Sequence, residues 1–116
     1  MTSEYVTNIE HIPSQIIKLV VRDPRGNQVA RASLVLITNE INPKPYGLLE
    51  DVFVREDDRG GGHGSRLVQR IVDLAKEKGC YKLIATSRYS RPRVHALYMR
   101  LGLRDHGKEF RMDLSD

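Results

Sequence analysis

The 116-residue chain has no tryptophan, one cysteine, and only 5 Tyr and 2 Phe. A lone Cys80 cannot close an internal disulfide. His11, His63, His95 and His106 are scattered, and no Cys/His pairing has metal-ligand spacing, so no structural metal is expected. The sequence also lacks an apolar run of about 18 residues and a charged-then-apolar leader. Neither a membrane span nor a secretory signal is therefore expected, and a cytoplasmic location is the default expectation. Ribonucleoprotein, zinc-finger and helix-turn-helix patterns are missing too. The net charge of +4 suits an anionic partner, but with so few aromatics a phosphorylated cofactor explains it better than nucleic acid. An apolar content of 40% is enough for one modest core, which predicts a single domain over residues 1–116.

Glycine, in contrast, is concentrated. Gly60, Gly61, Gly62 and Gly64 occupy four of five consecutive positions within Arg59-Gly60-Gly61-Gly62-His63-Gly64-Ser65. The stretch before them, Leu48–Val54, is short and apolar enough to be a strand. After them, Leu67, Val68, Ile71, Val72, Leu74 and Ala75 recur at helical spacing. A glycine loop between a strand and a helix can aim backbone N–H groups at one point, and the helix adds its own free N–H groups and positive dipole end. An anion, phosphate above all, fits such a place. The nucleoside-triphosphate loop is excluded because Gly64-Ser65-Arg66 lacks its lysine. The dinucleotide fingerprint fits poorly, since two strands come earlier and Tyr81–Thr86 carries no acidic residue.

Along the chain, Glu4–Ile12 is compatible with an edge strand or a frayed turn. Gln15–Val21 and Gln28–Ile37 are β-branched runs separated by Asp23-Pro24-Arg25-Gly26-Asn27, which predicts an antiparallel hairpin. Thr38–Gly47, broken by Pro43 and Pro45, predicts a long loop and a candidate for substrate contact. A helix is predicted over Ser65–Lys78, stopped by Gly79, and a strand over Tyr81–Thr86 parallel to the one before the loop. A second helix is predicted over Pro92–Leu101, with Pro92 at its start, Gly102 after it, and a buried stripe of Val94, Leu97, Tyr98 and Leu101. Lys108–Leu114 alternates Phe110, Met112 and Leu114 and predicts a last half-buried strand.

Arg59, Gly62 and Gly64 resemble the pyrophosphate loop of the GNAT superfamily of N-acetyltransferases, Arg/Gln-x-x-Gly-x-Gly/Ala, with the strand before it and the helix after it. Val94-His95-Ala96-Leu97-Tyr98-Met99-Arg100-Leu101-Gly102-Leu103 resembles the family's second pattern, Ala-x-x-x-Tyr-x-x-x-Gly-Phe, with Val94 and Leu103 as the departures. Glu50-Asp51-Val52, Arg59-Gly60 and Gly79-Cys80-Tyr81-Lys82 are also similar to stretches of the glucosamine-6-phosphate N-acetyltransferases, although Thr86 stands where those enzymes carry an acidic residue. The resemblance implies a GNAT-type α/β (α+β) fold: a mixed sheet around a central strand, glycine loop and helix. There is room for only a reduced set of the family's N-terminal helices.

That resemblance implies acetyl-CoA as co-substrate and a primary amine as acceptor, with direct transfer in a ternary complex. Its cradle is the backbone of Arg59, Gly60, Gly61, Gly62, His63, Gly64 and Ser65, and Arg66 or Arg93 is left for the 3′-phosphate. Backbone groups of Val52, Phe53 and Val54 hold the pantetheine arm and polarise the thioester carbonyl. Glu50 is the candidate base and Tyr98 the candidate acid. Asp51, placed on the opposite strand face by parity, is a weaker base candidate. His63 and His95 are expected as exposed helix-end residues. Exposed strand edges and an incomplete acceptor wall imply a homodimer. Two other readings remain: a non-catalytic acyl-CoA-binding sensor or interaction domain, and a basic nucleic-acid-binding domain.

Overall fold

The computed structural model describes residues 3–115. Two strands, β1 (Gln15–Arg22) and β2 (Gln28–Ile37), form the expected antiparallel hairpin. Asp23 builds its turn: one carboxylate oxygen accepts from the N–H of Arg25 at 2.9 Å and of Asn27 at 3.0 Å, while Gly26 N–H donates to the Asp23 carbonyl at 2.9 Å. An aspartate at the head of a turn serves this purpose because its short side chain reaches backbone two residues on. Strand β3 (Tyr46–Val54) pairs antiparallel with β2, a 3₁₀ turn covers Glu56–Asp58, and helix α1 (His63–Glu77) follows the glycines. Strand β4 (Leu83–Ala85) lies parallel to β3, and helix α2 (Pro92–Arg100) comes last. The sheet order is β1-β2-β3-β4, mixed as expected.

The core forms where α1 meets one sheet face. Ala30, Ala32 and Leu34, alternating along β2, are completely buried, and Leu49 of β3 and Leu67, Val68, Ile71 and Ala75 of α1 share their cluster. Positions i, i+1, i+4 and i+8 make one helical stripe, and the small alanines of β2 let the helix approach the sheet. Within the sheet Gly47 is tightly packed, since a Cβ there would lie 2.8 Å from Leu34 Cδ1 and 3.0 Å from Leu83 Cδ1.

Several boundaries differ from expectation. Helix α1 begins at His63, so Gly64 and Ser65 lie in its first turn, and it ends against Gly79 at φ 75°. Strand β4 is three residues, not Tyr81–Thr86. Tyr81 instead donates its N–H to the Pro45 carbonyl at 3.0 Å. Because β3 starts at Tyr46, the preceding loop spans 38–45 and sits at the far end of β3 from the glycines, about 25 Å away at strand rise.

Lys108–Leu114 is not a strand. Phe110, Met112 and Leu114 are 90%, 81% and 89% exposed. Alternation supplies an apolar face, but a strand also needs a neighbour for its backbone, and the described residues offer this segment none. Glu4–Ile12 is neither strand nor turn, with Tyr5, Val6, Ile9 and Ile12 exposed. Both segments lie outside the sheet, which accounts for a longest dimension of 70 Å against 31 and 30 Å.

Strand β3 carries the main departure from simple periodicity. Ser33 pairs with Glu50 and Arg31 with Phe53, so Asp51 and Val52 together face Ala32. This is a β-bulge, and Asp51 sits in the left-handed region at φ 56°, unique to it among the described non-glycine residues. The extra residue resets the alternation, so that Leu49, Val52 and Val54 share the core face, while Glu50, Asp51 and Phe53 are exposed. Strand parity placed Asp51 opposite Glu50, and the bulge overturns that placement.

Candidate functional site

The parallel pairing of β3 with β4 runs only through Gly47–Leu49 against Leu83–Ala85. From Glu50 onward, the edge of β3 turned away from β2 has no strand beside it among the described residues, so its N–H groups have no strand partner and can meet a ligand. Val52, Phe53 and Val54 lie on this free stretch. Their side chains serve the fold at the same time: Val52 and Val54 pack on the core, and Phe53 lies under the Arg31 guanidinium at 4.6 Å.

Beyond Val54 the chain bends into the glycine loop. Arg55 N–H donates to the Val29 carbonyl at 2.8 Å, and the Arg55 side chain reaches Asp58 at 2.6 Å and Asp23 at 3.7 Å. Arg59 Nε donates to the Val54 carbonyl at 3.0 Å, which ties the start of the loop to the end of the strand. Gly62 then caps α1 at φ 82°, a conformation that a side chain would strain.

The first helical bond is from Arg66 N–H to the Gly62 carbonyl at 3.1 Å. The N–H groups of His63, Gly64 and Ser65 precede it, and no side chain caps them. They are free donors at the positive end of a 15-residue helix. Gly60, Gly61 and Gly62 are exposed, and a Cβ at Gly60 would stand in open space. A diphosphate fits this donor set on geometry and charge.

Arg66 folds back over the loop, its Nη2 donating to the Gly61 carbonyl at 2.9 Å. Beside it lies a cavity of about 340 Å³ lined by Val21, His63, Arg66, Leu67 and Arg70. Two guanidinium groups thus flank one space next to the helix start. Arg93 is exposed on the first turn of α2 and does not line this cavity, so Arg70 joins Arg66 there instead. A sequence signal for Arg70 exists in retrospect, because it lies four residues after Arg66 on the same helix face.

Tyr98, on α2, packs half-buried against the core beside Leu97 and Leu101. Burial is the main cause pushing its phenol above the ordinary tyrosine value; nearby Arg91 pulls it down, and the Glu50 charge pushes it up. Glu50 and Tyr98, from different elements, therefore lie within electrostatic reach of each other. Nothing in the local sequence marks Arg91 for this place. His95 is not an exposed helix-end residue but is half-buried, with its Nε2 2.8 Å from the Arg88 carbonyl. His63 is half-buried as well. Burial raises the Cys80 thiol above its ordinary value, away from nucleophilic use.

Among the described residues, no cluster of His, Cys, Asp and Glu is placed to hold a metal ion, and no helix is long and apolar enough to cross a membrane.

The sequence profile described as Acetyltransferase (GNAT) family matches residues 3–103. A glucosamine 6-phosphate N-acetyltransferase of Trypanosoma brucei brucei is 35% identical over 106 residues, covering 85% of this chain and 66% of the relative. A probable glucosamine 6-phosphate N-acetyltransferase 2 of Oryza sativa subsp. japonica is 43% identical over 61 residues, covering 53% of this chain and 35% of the relative. The crystal structure of a Trypanosoma brucei acetyltransferase superposes with a TM-score of 0.77 at 33% identity, over 85% of this chain and 69% of that one. The chain thus spans about two thirds, or less, of the length of these relatives.

Proposed function

The chain belongs to the GNAT acetyltransferase family, and on that premise we propose that it transfers an acetyl group from acetyl-CoA to the primary amine of a small acceptor. The observation that carries this reading is the end of the β3–β4 pairing at Leu49 and Ala85. It leaves an open strand edge leading to the glycine loop and the uncapped start of α1.

The coenzyme, when bound, supplies an acetyl group activated as a thioester. In this reading the loop from Arg59 to Ser65 holds the diphosphate, with Arg66 and Arg70 beside it for further negative charge. Free N–H groups of the Val52–Val54 stretch act as fixed donors where negative charge develops on the carbonyl oxygen. An alkyl ammonium has a pKa of about 10.4, so roughly one acceptor in a thousand is neutral at pH 7. Glu50, exposed on β3, takes the amine proton directly or through water. Tyr98 holds a proton for the departing sulfur, and burial helps to keep that proton in place. A carbon–nitrogen bond forms, a carbon–sulfur bond breaks, and the two proton transfers balance.

The reading extends to a homodimer, supported by the exposed apolar side chains of Phe110, Met112 and Leu114. It is tested by incubating the protein with acetyl-CoA and an amine panel headed by glucosamine 6-phosphate, because two of the relatives above are named for that acceptor. Thiol release that depends on one amine is expected. No release with any amine, together with no coenzyme binding, would overturn the reading.

A further inference from the structure

Among the described residues, Arg31 is the one cation that touches both sides of the β3 bulge. Its Nε donates to one Asp51 carboxylate oxygen at 2.8 Å and its Nη2 to the other at 3.1 Å, a two-pronged pair. The same guanidinium lies 4.6 Å from the centre of the Phe53 ring. Asp51 and Phe53 bracket Val52, and Asp51 is the residue held at φ 56°.

A competing register makes this arrangement consequential. If the bulge straightened, Ser33 would still face Glu50, but Arg31 would face Val52 and Ala30 would face Phe53. Every side chain after the bulge would then change faces, with Phe53 turning toward α1 and Val52 and Val54 turning outward. The backbone would change too, because successive N–H groups of a strand point to opposite edges. A one-residue slip therefore exchanges the peptide groups that face the open edge for those that face β2. The bulge decides which N–H groups are available there.

We propose that Arg31 is a positioning residue: by clamping Asp51 and covering Phe53 it selects the bulged register, and so sets which backbone N–H groups of Val52–Val54 face the thioester carbonyl. This rests on the acetyl-transfer reading above. Asp51 is then the anchor of the clamp and not a proton acceptor. Lone strand propensity works against the bulge, since an aspartate in the left-handed region is stable only where its surroundings hold it.

The test compares the parent chain with Arg31→Ala and with Arg31→Ala/Asp51→Gly. Amide hydrogen exchange and Tm of the ligand-free proteins, calorimetric affinities for acetyl-CoA and for CoA, and kcat and KM are measured. In Arg31→Ala, faster exchange confined to residues 51–54 is expected. CoA keeps most of its affinity, because the glycine loop is untouched and only the pantetheine contacts of Val52–Val54 shift. The extra affinity of acetyl-CoA over CoA disappears, and kcat falls by about 10²-fold, the scale of losing one fixed oxyanion donor. The double variant recovers most of kcat, because glycine takes a positive φ without a clamp.

Unchanged exchange and kcat in Arg31→Ala would overturn the proposal. So would a parallel fall of CoA affinity, thermal stability and kcat, which is what a purely structural ion pair predicts. Absence of coenzyme binding by the parent chain would overturn the acetyl-transfer reading itself, and is distinguished because the exchange pattern still reports whether Arg31 holds the bulge.

Discussion

Arg59 and Val54 close the glycine loop on the strand that leads into it, through a 3.0 Å hydrogen bond from Arg59 Nε to the Val54 carbonyl. The first residue of the family-like motif thus acts on the chain's own backbone. Arg59→Ala should leave the fold intact and weaken acetyl-CoA binding by about 5-fold, the loss expected when one hydrogen bond of about 1 kcal/mol no longer holds the loop. Calorimetry decides it. Unchanged affinity would assign Arg59 to the surface alone.

Gly62 is the more sensitive position. A Cβ there would meet Arg66 Nη1 at 2.9 Å and would sit on a backbone at φ 82°. The guanidinium can swing away, but only by giving up the Gly61 carbonyl it bonds. Gly62→Val should therefore reduce coenzyme affinity by more than about 100-fold, while stability drops by roughly 1–2 kcal/mol for one strained residue. Gly64 differs, since its Cβ would meet only Val54 Cγ2 at an ordinary 3.7 Å. Gly64→Ala should fold as well as the parent chain, which makes it the control for an effect of the loop rather than of glycine content. Tight coenzyme binding by a folded Gly62→Val protein would remove the loop from the site.

The hairpin, the strand–loop–helix unit and both helices are legible in the sequence because each is a local decision. Pro24 and Gly26 mark a turn, the Leu67–Ala75 stripe repeats at helical spacing, and Gly79 and Gly102 stop the helices. The bulge at Asp51 is not legible. Glu50-Asp51 reads as two ordinary strand positions, and only the cross-strand partner Arg31 makes the irregular register stable. Lys108–Leu114 fails for the same reason, since alternation encodes a face but not a neighbour. Arg70 and Arg91 escape notice because their significance lies in what the fold brings next to them, a cavity and a phenol.

Acid should loosen the structure at identifiable places. The Asp23 carboxyl is held below its ordinary value chiefly by the backbone N–H of Asn27, and that of Asp51 chiefly by the Arg31 hydrogen bond. Both folded values lie under the ordinary 3.8, so the stabilisation is present above that value and is lost as pH falls through the folded values. Thermal melting followed from about pH 6 to about pH 2 should show a falling Tm. Asp23→Asn keeps an acceptor for the turn but has no proton to gain, so its Tm should fall less steeply over that range. An identical slope would mean that the hairpin turn does not contribute.

Self-association is the next expectation. Phe110, Met112 and Leu114 are exposed apolar side chains, interleaved in the sequence with exposed Arg111 and Asp113, which pair with each other at 2.7 Å. Light scattering at micromolar concentration should give twice the 13.3 kDa chain mass. Phe110→Glu/Met112→Glu should give the single-chain mass with an unchanged circular dichroism spectrum, because neither side chain packs in the core. A single-chain mass for the parent protein would exclude the dimer.

Tyr98→Phe separates chemistry from packing. The ring sits against the core beside Leu97 and Leu101, and phenylalanine preserves that contact. Burial, opposed by Arg91 and assisted by Glu50, places the phenol above its ordinary 10.0, so it is protonated throughout the neutral range and no downward limb from Tyr98 is expected below pH 10.0. If it donates to the departing sulfur, the variant should bind acetyl-CoA normally and turn over about 10²–10⁴-fold more slowly, the usual contribution of a positioned proton donor. A coenzyme analogue whose thiol has a low pKa departs as the thiolate without that proton, and should restore much of the lost rate. If the hydroxyl serves packing alone, the change should appear as about 0.5–1.5 kcal/mol of stability with turnover preserved. The two outcomes are read in different assays, so a slow variant with parent-like Tm and analogue rescue can be explained only by proton donation.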